Sequence, residues 1–308
     1  MVIKNINRFL AVLTFLCVTT SLCAQNSKSI IQLADSLSNL YVFKDKGIEM
    51  SNLLKSNLER RNYDNLNLEE LAVHLDKDLK KVVKDKHLRI SYGQPKRNTS
   101  QRRQIPSYYL SISESKVLDG NIGYIEITGF QMPNDDLKNH LSTQLMKIAK
   151  CKAIIIDLRN NGGGAPKGVQ LLSSYFFEKD TTQLLNTVEY RGYDVKYDFY
   201  VLGDADIERI LDKKTYILTS NYTFSAGEGF AYLMQANKKA TLVGENTGGG
   251  AHPVNFYPLD NGLVAKIPIG RAINPITNSN WEGIGVIPDI KVEEEKALSK
   301  AIEIIRKN

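Results

Sequence analysis

The chain has 308 residues, of which 42% are hydrophobic and 24% are charged. These values are typical of globular proteins and exclude collagen-like, disordered and coiled-coil chains, and the length allows one large domain or two smaller ones. The net charge of +6 arises mainly in residues 25–105, where 16 basic side chains alternate with 10 acidic ones. This mixture indicates a solvated helical surface, so no nucleic-acid partner is expected.

The first 24 residues have the features of a secretory signal peptide. Lys4 and Arg8 precede an unbroken apolar run from Phe9 to Val18, and Ala24 lies at the expected cleavage site. The run is too short to cross a bilayer, which takes about 20 residues. We therefore expect an exported protein, periplasmic or extracellular, without stable membrane insertion. The residue before Cys23 is not small, so lipid anchoring at Cys23 is not expected.

Residues 25–91 are predicted to form an N-terminal helical subdomain. Apolar residues recur at helical spacing in three segments, Ile30–Leu40, Ile48–Leu58 and Leu68–Val82. Asn67 and Glu70 fit a capping box at the start of the third segment. Three amphipathic helices with short connections predict a small bundle. Residues 92–106 are polar and basic and are interpreted as a linker or exposed loop.

Strand and helix patterns alternate over residues 107–308. The predicted strands are Ile122–Ile127, Ala153–Asp157, Tyr216–Thr219 and Thr241–Val243. The predicted helices are 133–149, Gly168–Phe177, Ala226–Gln235 and Leu298–Arg306. This alternation predicts an α/β domain with a mostly parallel sheet covered by helices, and residues 183–201 are predicted to form an inserted hairpin.

A glycine run follows the most apolar predicted strand. In an open α/β sheet the ligand site lies beyond the carboxyl ends of the strands. Residues 162–164 are all glycine, so the backbone N–H groups there can approach a ligand closely, as in a phosphate cradle or an oxyanion hole. The run lacks the Gly-Lys-Ser/Thr ending of a P-loop, which disfavours nucleotide binding. A turn that serves only the geometry of the sheet is the alternative.

A serine follows another predicted strand. Ser225 precedes Ala226 and Gly227 at the start of a predicted helix, where the helix dipole favours a developing oxyanion. A hydroxyl flanked by small residues is open to attack a carbonyl carbon. Ser225 with Glu228 also fits a capping box, which needs no chemistry. The glycine run at a neighbouring strand end favours acyl transfer, because that chemistry needs both parts.

A serine nucleophile also needs a base, and the chain has four histidines. His74 and His140 lie in predicted helices with polar flanks, which is typical of surface residues. His87 lies between the last N-terminal helix and an apolar strand, and His252 lies in a second glycine loop. Either of these two can serve as the base, and a structural role is the alternative for both.

Four motifs, taken in order, resemble the S41 family of serine peptidases. They are DLRNNGGG (157–164), NYTFSAGEG (221–229), GENTGGGAHP (244–253) and WEGIGVIPDI (281–290). The similarity covers roughly residues 28–308 and is greatest to the branch that contains the tricorn protease core and interphotoreceptor retinoid-binding protein. It implies a crotonase-like (ClpP-like) α/β catalytic domain with a small N-terminal helical-bundle subdomain. No PDZ domain is expected, because too few residues precede the strand at 122.

The resemblance implies a set of catalytic residues. Ser225 matches the nucleophile, His87 the general base and Glu282 a carboxylate near the C-terminus. A lysine base, as in many carboxy-terminal processing relatives, is excluded because residues 248–250 are all glycine. Lys86 stands where the tricorn-like branch has a helper serine.

The resemblance also implies an oxyanion hole and a substrate class. The oxyanion hole falls on Gly163, with Gly162, and on the N–H of Ala226, while His252 and Phe224 are candidates for positioning the substrate. The expected function is that of an exported serine endopeptidase acting on peptides or proteins, with no cofactor and no metal. The alternative is a non-catalytic binder of a hydrophobic ligand or peptide on the same fold.

Overall fold

The computed structural model describes residues 25–93, 111–179, 182–193, 195–203 and 208–307. The predicted signal peptide and most of the predicted linker lie outside these residues. The chain divides into two compact units. Unit 1 contains residues 25–93, 191–193 and 253–270, and unit 2 contains the other described residues. None of the described helices is both long and apolar enough to cross a membrane.

Helices and strands alternate through most of the described chain. The helices are α1 (25–40), α2 (Lys44–Glu59), α3 (Leu68–Val82), α4 (Asp135–Ile148), α5 (Pro166–Ser174), α6 (Ala226–Ala236) and α7 (Glu294–Lys307). The strands are β1 (Arg89–Tyr92), β2 (Lys116–Leu118), β3 (Ile122–Glu126), β4 (Ala153–Asp157), β5 (Leu184–Tyr190), β6 (Val195–Tyr200), β7 (Lys214–Thr219), β8 (Thr241–Gly244), β9 (Val254–Pro258), β10 (Leu263–Pro268), β11 (Gly270–Ile273) and β12 (Ile290–Lys291).

Unit 1 combines three helices with a small antiparallel sheet. Helices α1 to α3 lie where the apolar periodicity predicts them, and α3 begins with a complete capping box, in which the Asn67 side chain accepts from the N–H groups of Glu69 and Glu70. The sheet has the order β1-β10-β9. This sheet was not predicted, because β1 pairs with a strand more than 170 residues away along the chain.

Unit 2 is built on a six-stranded sheet of order β12-β8-β7-β4-β3-β2, parallel except for the edge strand β2. Every residue of β4 is buried, because helices cover both faces of the sheet. One face packs against α7 and the other against α4, α5 and α6. The predicted α/β architecture is confirmed, and the hairpin expected at 183–201 is the pair β5–β6.

The sheet order brings the two predicted functional turns together. β4 and β7 are parallel neighbours, with Asp157 at the end of β4 paired with Leu218 near the end of β7. The glycine run after β4 and the Ser225 turn after β7 therefore leave the sheet at the same edge. Sheet order is what places them side by side, since they are more than 60 residues apart in the sequence.

Candidate active site

Ser225 lies at the tip of the turn between β7 and α6. Its backbone has φ 55° and ψ −117°, a left-handed conformation that is uncommon for a residue with a side chain. The turn is held by buried hydroxyls: Ser220 Oγ donates to the Arg159 carbonyl at 2.6 Å, and Thr223 Oγ1 donates to the Leu158 carbonyl at 2.8 Å. A strand, a strained serine and a helix in succession is the arrangement that exposes a nucleophilic hydroxyl.

The glycine run packs directly against this serine. Gly163 has φ 105°, and a Cβ added there would lie 2.7 Å from Ser225 Cβ and 3.2 Å from the Ala226 nitrogen. Only glycine can occupy such a position without displacing the serine. Gly162 is exposed beside the ring of Tyr222. Unit 2 thus brings the predicted nucleophile next to the predicted oxyanion-hole segment.

Asn161 connects the glycine run to the serine turn. It is fully buried, its backbone carbonyl accepts from Phe224 N–H at 2.9 Å, and its side-chain Nδ2 donates to the Ile127 carbonyl at 2.9 Å. Asn161 Oδ1 accepts from Gly163 N–H, also at 2.9 Å. The Gly163 N–H is therefore engaged in this structure, whereas Ala226 is the first residue of α6, whose N–H has no partner within the helix.

Glu228 is a buried carboxylate that ties the serine turn to the second glycine loop. Its Oε2 accepts from Ser225 N–H at 2.7 Å and Gly250 N–H at 2.9 Å, and its Oε1 accepts from Gly249 N–H at 2.6 Å and from the Thr247 hydroxyl. Burial raises the pKa of Glu228, and these hydrogen bonds oppose the rise. The sequence identified Glu228 only as a capping residue, because its other partners come from residues 247–250.

Glu282 lies on the other side of the same loop. Its Oε2 accepts from Ala251 N–H at 2.6 Å and lies 3.5 Å from Nδ1 of the buried His252. Backbone bonds fix this contact, since Gly283 N–H donates to the Gly249 carbonyl and Trp281 Nε1 donates to the Gly250 carbonyl. Unit 2 therefore pairs Glu282 with His252.

His87 belongs to unit 1 and is buried there. Its backbone N–H donates to Asp85 Oδ1 at 2.9 Å, and Asp85 Oδ2 accepts from the Tyr41 hydroxyl at 3.2 Å. Lys86, between them, is exposed. These bonds fix the backbone of the predicted base within its own unit.

Family comparison agrees with the motifs. A family model of peptidase family S41 matches residues 121–292, and a model described as the N-terminal domain of Peptidase_S41 in eukaryotic IRBP matches residues 19–119. The first match alone spans more than half of the chain. The fold and the serine turn define an S41-type α/β peptidase architecture, and the chain belongs to peptidase family S41.

Curated relatives cover the same region at low identity. The carboxy-terminal processing protease CtpA of Bacillus subtilis is 27% identical over 182 residues, which is 58% of this chain and 36% of CtpA. A carboxyl-terminal-processing protease of Synechocystis sp. is 28% identical over 174 residues, which is 56% of this chain and 38% of the relative. The chain thus spans less than half the length of these relatives.

Solved structures share the fold over most of the chain. A putative peptidase from Parabacteroides merdae is 22% identical with a TM-score of 0.65, covering 92% of this chain and 96% of its own. The photosystem II D1 C-terminal processing protease has 14% identity and a TM-score of 0.59, over 91% and 96%. The tricorn protease has 13% identity and a TM-score of 0.61, over 92% of this chain and 36% of its own. These likenesses confirm the predicted fold class.

Proposed function

We propose that the chain is an exported serine endopeptidase that cleaves peptide bonds through an acyl-enzyme formed on Ser225. The observation that carries the proposal is the strained turn that holds Ser225 at the start of α6, with Gly163 packed against it. Acyl transfer needs a nucleophile and an oxyanion site within a few ångströms of each other. The names of the relatives, which are processing proteases, support a peptide or protein substrate.

In the proposed mechanism, His87 takes the proton of the Ser225 hydroxyl as its oxygen attacks the carbonyl carbon of the substrate. The Ala226 amide, with an amide of Gly162 or Gly163, stabilises the oxyanion. A preorganised donor of this kind contributes about 3 kcal/mol. Because the Gly163 N–H donates to Asn161 in this structure, its contribution requires that bond to be exchanged for one to the oxyanion.

The second half of the reaction uses the same groups. The base returns the proton to the leaving amine, and then activates a water molecule that hydrolyses the acyl-enzyme and restores Ser225. Glu282 orients the groups around the second glycine loop through Ala251 N–H and His252 Nδ1. His252 positions the substrate, as does the half-buried ring of Phe224. The assignment of His87 as the base rests on the family resemblance.

A non-catalytic binder of a hydrophobic ligand or peptide is the second candidate. The match of residues 19–119 to a domain model described from eukaryotic IRBP favours it, and the ring of Tyr222 is 60% exposed beside the glycine run. A fluorophosphonate probe separates the two functions, since it labels only an activated serine. The peptidase predicts labelling that Ser225→Ala abolishes, and the binder predicts no labelling in the unsubstituted chain.

Export is tested separately from catalysis. Expression of the full chain, followed by cell fractionation and N-terminal sequencing of the product, should find the protein outside the cytoplasm with residues 1–24 removed. A full-length product that remains in the cytoplasm would contradict export without affecting the catalytic proposal.

A further inference from the structure

The sheet of unit 1 places two cations directly opposite each other. Arg89 of β1 pairs with Lys266 of the central strand β10, and Lys266 pairs in turn with Phe256 of β9. Opposed residues of antiparallel strands lie on one face with Cβ atoms about 5 Å apart. The guanidinium, the ammonium and the phenyl ring therefore form one row across the sheet. Like charges in this arrangement destabilise a sheet.

Little within unit 1 compensates this repulsion. Among the described residues, neither Arg89 nor Lys266 forms an ion pair with a carboxylate. Burial lowers the pKa of the half-buried Lys266 and Arg89 lowers it further, while Asp85 is the acid that opposes them. The Asp85 oxygens already accept from the Tyr41 hydroxyl and from His87 N–H. The cluster as a whole carries an excess of positive charge.

The other lysines of unit 1 show that this is not the rule for the unit. Lys28, Lys46 and Lys55 each form an ion pair with a neighbouring carboxylate at 2.7–2.8 Å. Local arrangements that cost stability without compensation are typical of functional sites. Here the missing partner is an anion.

The row is accessible to such a partner. Arg89 is exposed, and the ring of Phe256 is 64% exposed. A guanidinium binds a carboxylate through two parallel hydrogen bonds, and an exposed ring on the same face can pack against an apolar side chain. Together these groups fit an acidic peptide with an adjacent apolar residue better than they fit a simple inorganic ion.

We propose that Arg89 and Lys266 bind a carboxylate of the peptide substrate, with Phe256 against a neighbouring apolar side chain. The proposal rests on the peptidase function proposed above and names its substrate class: peptides with a free C-terminal carboxylate or an acidic side chain near the scissile bond. It follows from the position of the cluster, because the proposed base His87 precedes Arg89 by two residues and its N–H is bonded to Asp85.

The test compares three versions of one cleavable fluorogenic peptide. One ends in a free carboxylate, one in an amide, and one in an amide with a glutamate replacing the last residue. We expect kcat/KM to favour one or both of the acidic versions by about 10- to 100-fold, the value of a hydrogen bond to a charged group. The two acidic versions show whether the carboxylate comes from the C-terminus or from a side chain. Equal rates for all three would overturn the proposal.

Two variants assign the preference to the cluster. In Lys266→Met and in Arg89→Gln, the ratio of acidic to amide rates should fall toward one, mainly through KM, while Lys55→Met, the control, should keep the parent ratio. Lys266→Met should be at least as stable to heat as the parent, because it removes a like-charge contact while keeping a long side chain. An unchanged ratio in a folded Lys266→Met protein would overturn the proposal.

A binding measurement separates this proposal from the peptidase function. Fluorescence anisotropy with the Ser225→Ala protein reports the affinity for labelled acidic and amide peptides without turnover. Tighter binding of the acidic peptide supports the subsite even if no Ser225-dependent cleavage is found, which would refute the peptidase alone. Binding of inorganic phosphate without any preference between the peptides would overturn the subsite.

Discussion

Ser225 shows how much local structure is committed to one side chain. A left-handed conformation at a residue with a Cβ costs of order 1–3 kcal/mol, and it persists only where the surroundings fix it. Here they do, because the Ser225 N–H is held by Glu228 and the preceding Phe224 N–H by Asn161. A capping serine would not need this strain. The conformation therefore favours the nucleophile over the cap.

The first prediction distinguishes the two candidate bases. His87→Ala should reduce turnover almost as far as Ser225→Ala, by about 10⁶-fold, because residues that act as one unit give losses of this size. The double variant should be hardly worse than either single one. His252→Ala should lose less, since we assign it to substrate positioning. The measurement is kcat on a peptide cleaved by the parent protein.

The opposite ranking would refute the assignment of the base. If His252→Ala is inactive while His87→Ala still turns over, the contact between His252 and Glu282 belongs to the catalytic base itself. The tricorn-like assignment of His87 would then be wrong, although Ser225 would keep its role.

The second prediction concerns the glycine beside the nucleophile. Gly163→Ala adds a methyl group 2.7 Å from Ser225 Cβ at a positive φ, so it should displace the serine and the oxyanion donors and lower kcat by at least about 100-fold. Gly262→Ala is the matched control, because it has a similar φ of 89° but open space around it. The control should lose about 1 kcal/mol of stability and keep its turnover. Equal losses of kcat in both variants would show that backbone strain alone is responsible.

At the scale of elements, α3 is the best case of a sequence signal with a local cause. Its capping box satisfies N–H groups that the helix leaves without internal partners. Asn67→Ala should therefore lower the free energy of unfolding of unit 1 by about 1 kcal/mol. Chemical denaturation followed by circular dichroism measures this, with Asn67→Ser, which restores a capping oxygen, as the control. A stability equal to that of the parent would show that tertiary packing, not the cap, holds the start of α3.

The elements found from the sequence are those whose cause is local. β4 was predicted with its observed bounds because five consecutive residues are buried on both faces. The sheet of unit 1 was missed because its strands β9 and β10 lie far along the chain from β1. The same reason explains the site: the DLRNNGGG and serine motifs were visible, whereas the bonds of Glu228 to residues 247–250 exist only in the folded chain.

At the scale of the molecule, Glu228 gives a pH dependence whose sign can be worked out. In the unfolded chain its carboxyl ionises near its ordinary pKa, about 4.3, and burial raises the folded pKa above that value. Between the two values the folded state binds the extra proton. The unfolding free energy contributed by Glu228 is therefore present below the unfolded pKa and is lost as the pH rises through the folded pKa.

The measurement is the difference in unfolding free energy between the parent and Glu228→Gln from about pH 4 to pH 8. We expect the advantage of the parent to shrink as the pH rises and then to level off. Glu295→Gln, at an exposed position of α7, controls for the loss of a surface carboxylate. A parent advantage that grows with pH would mean that the four hydrogen bonds outweigh burial and lower the pKa.

The central claim is that Ser225 makes this chain a peptidase, and one measurement tests it most directly. Purified protein lacking residues 1–24 is incubated with a peptide library, and the products are identified by mass spectrometry beside those of Ser225→Ala. We predict new peptide ends with the parent and none with the variant. Cleavage that survives Ser225→Ala, or a folded parent that cleaves nothing and is not labelled by a fluorophosphonate, would contradict the account.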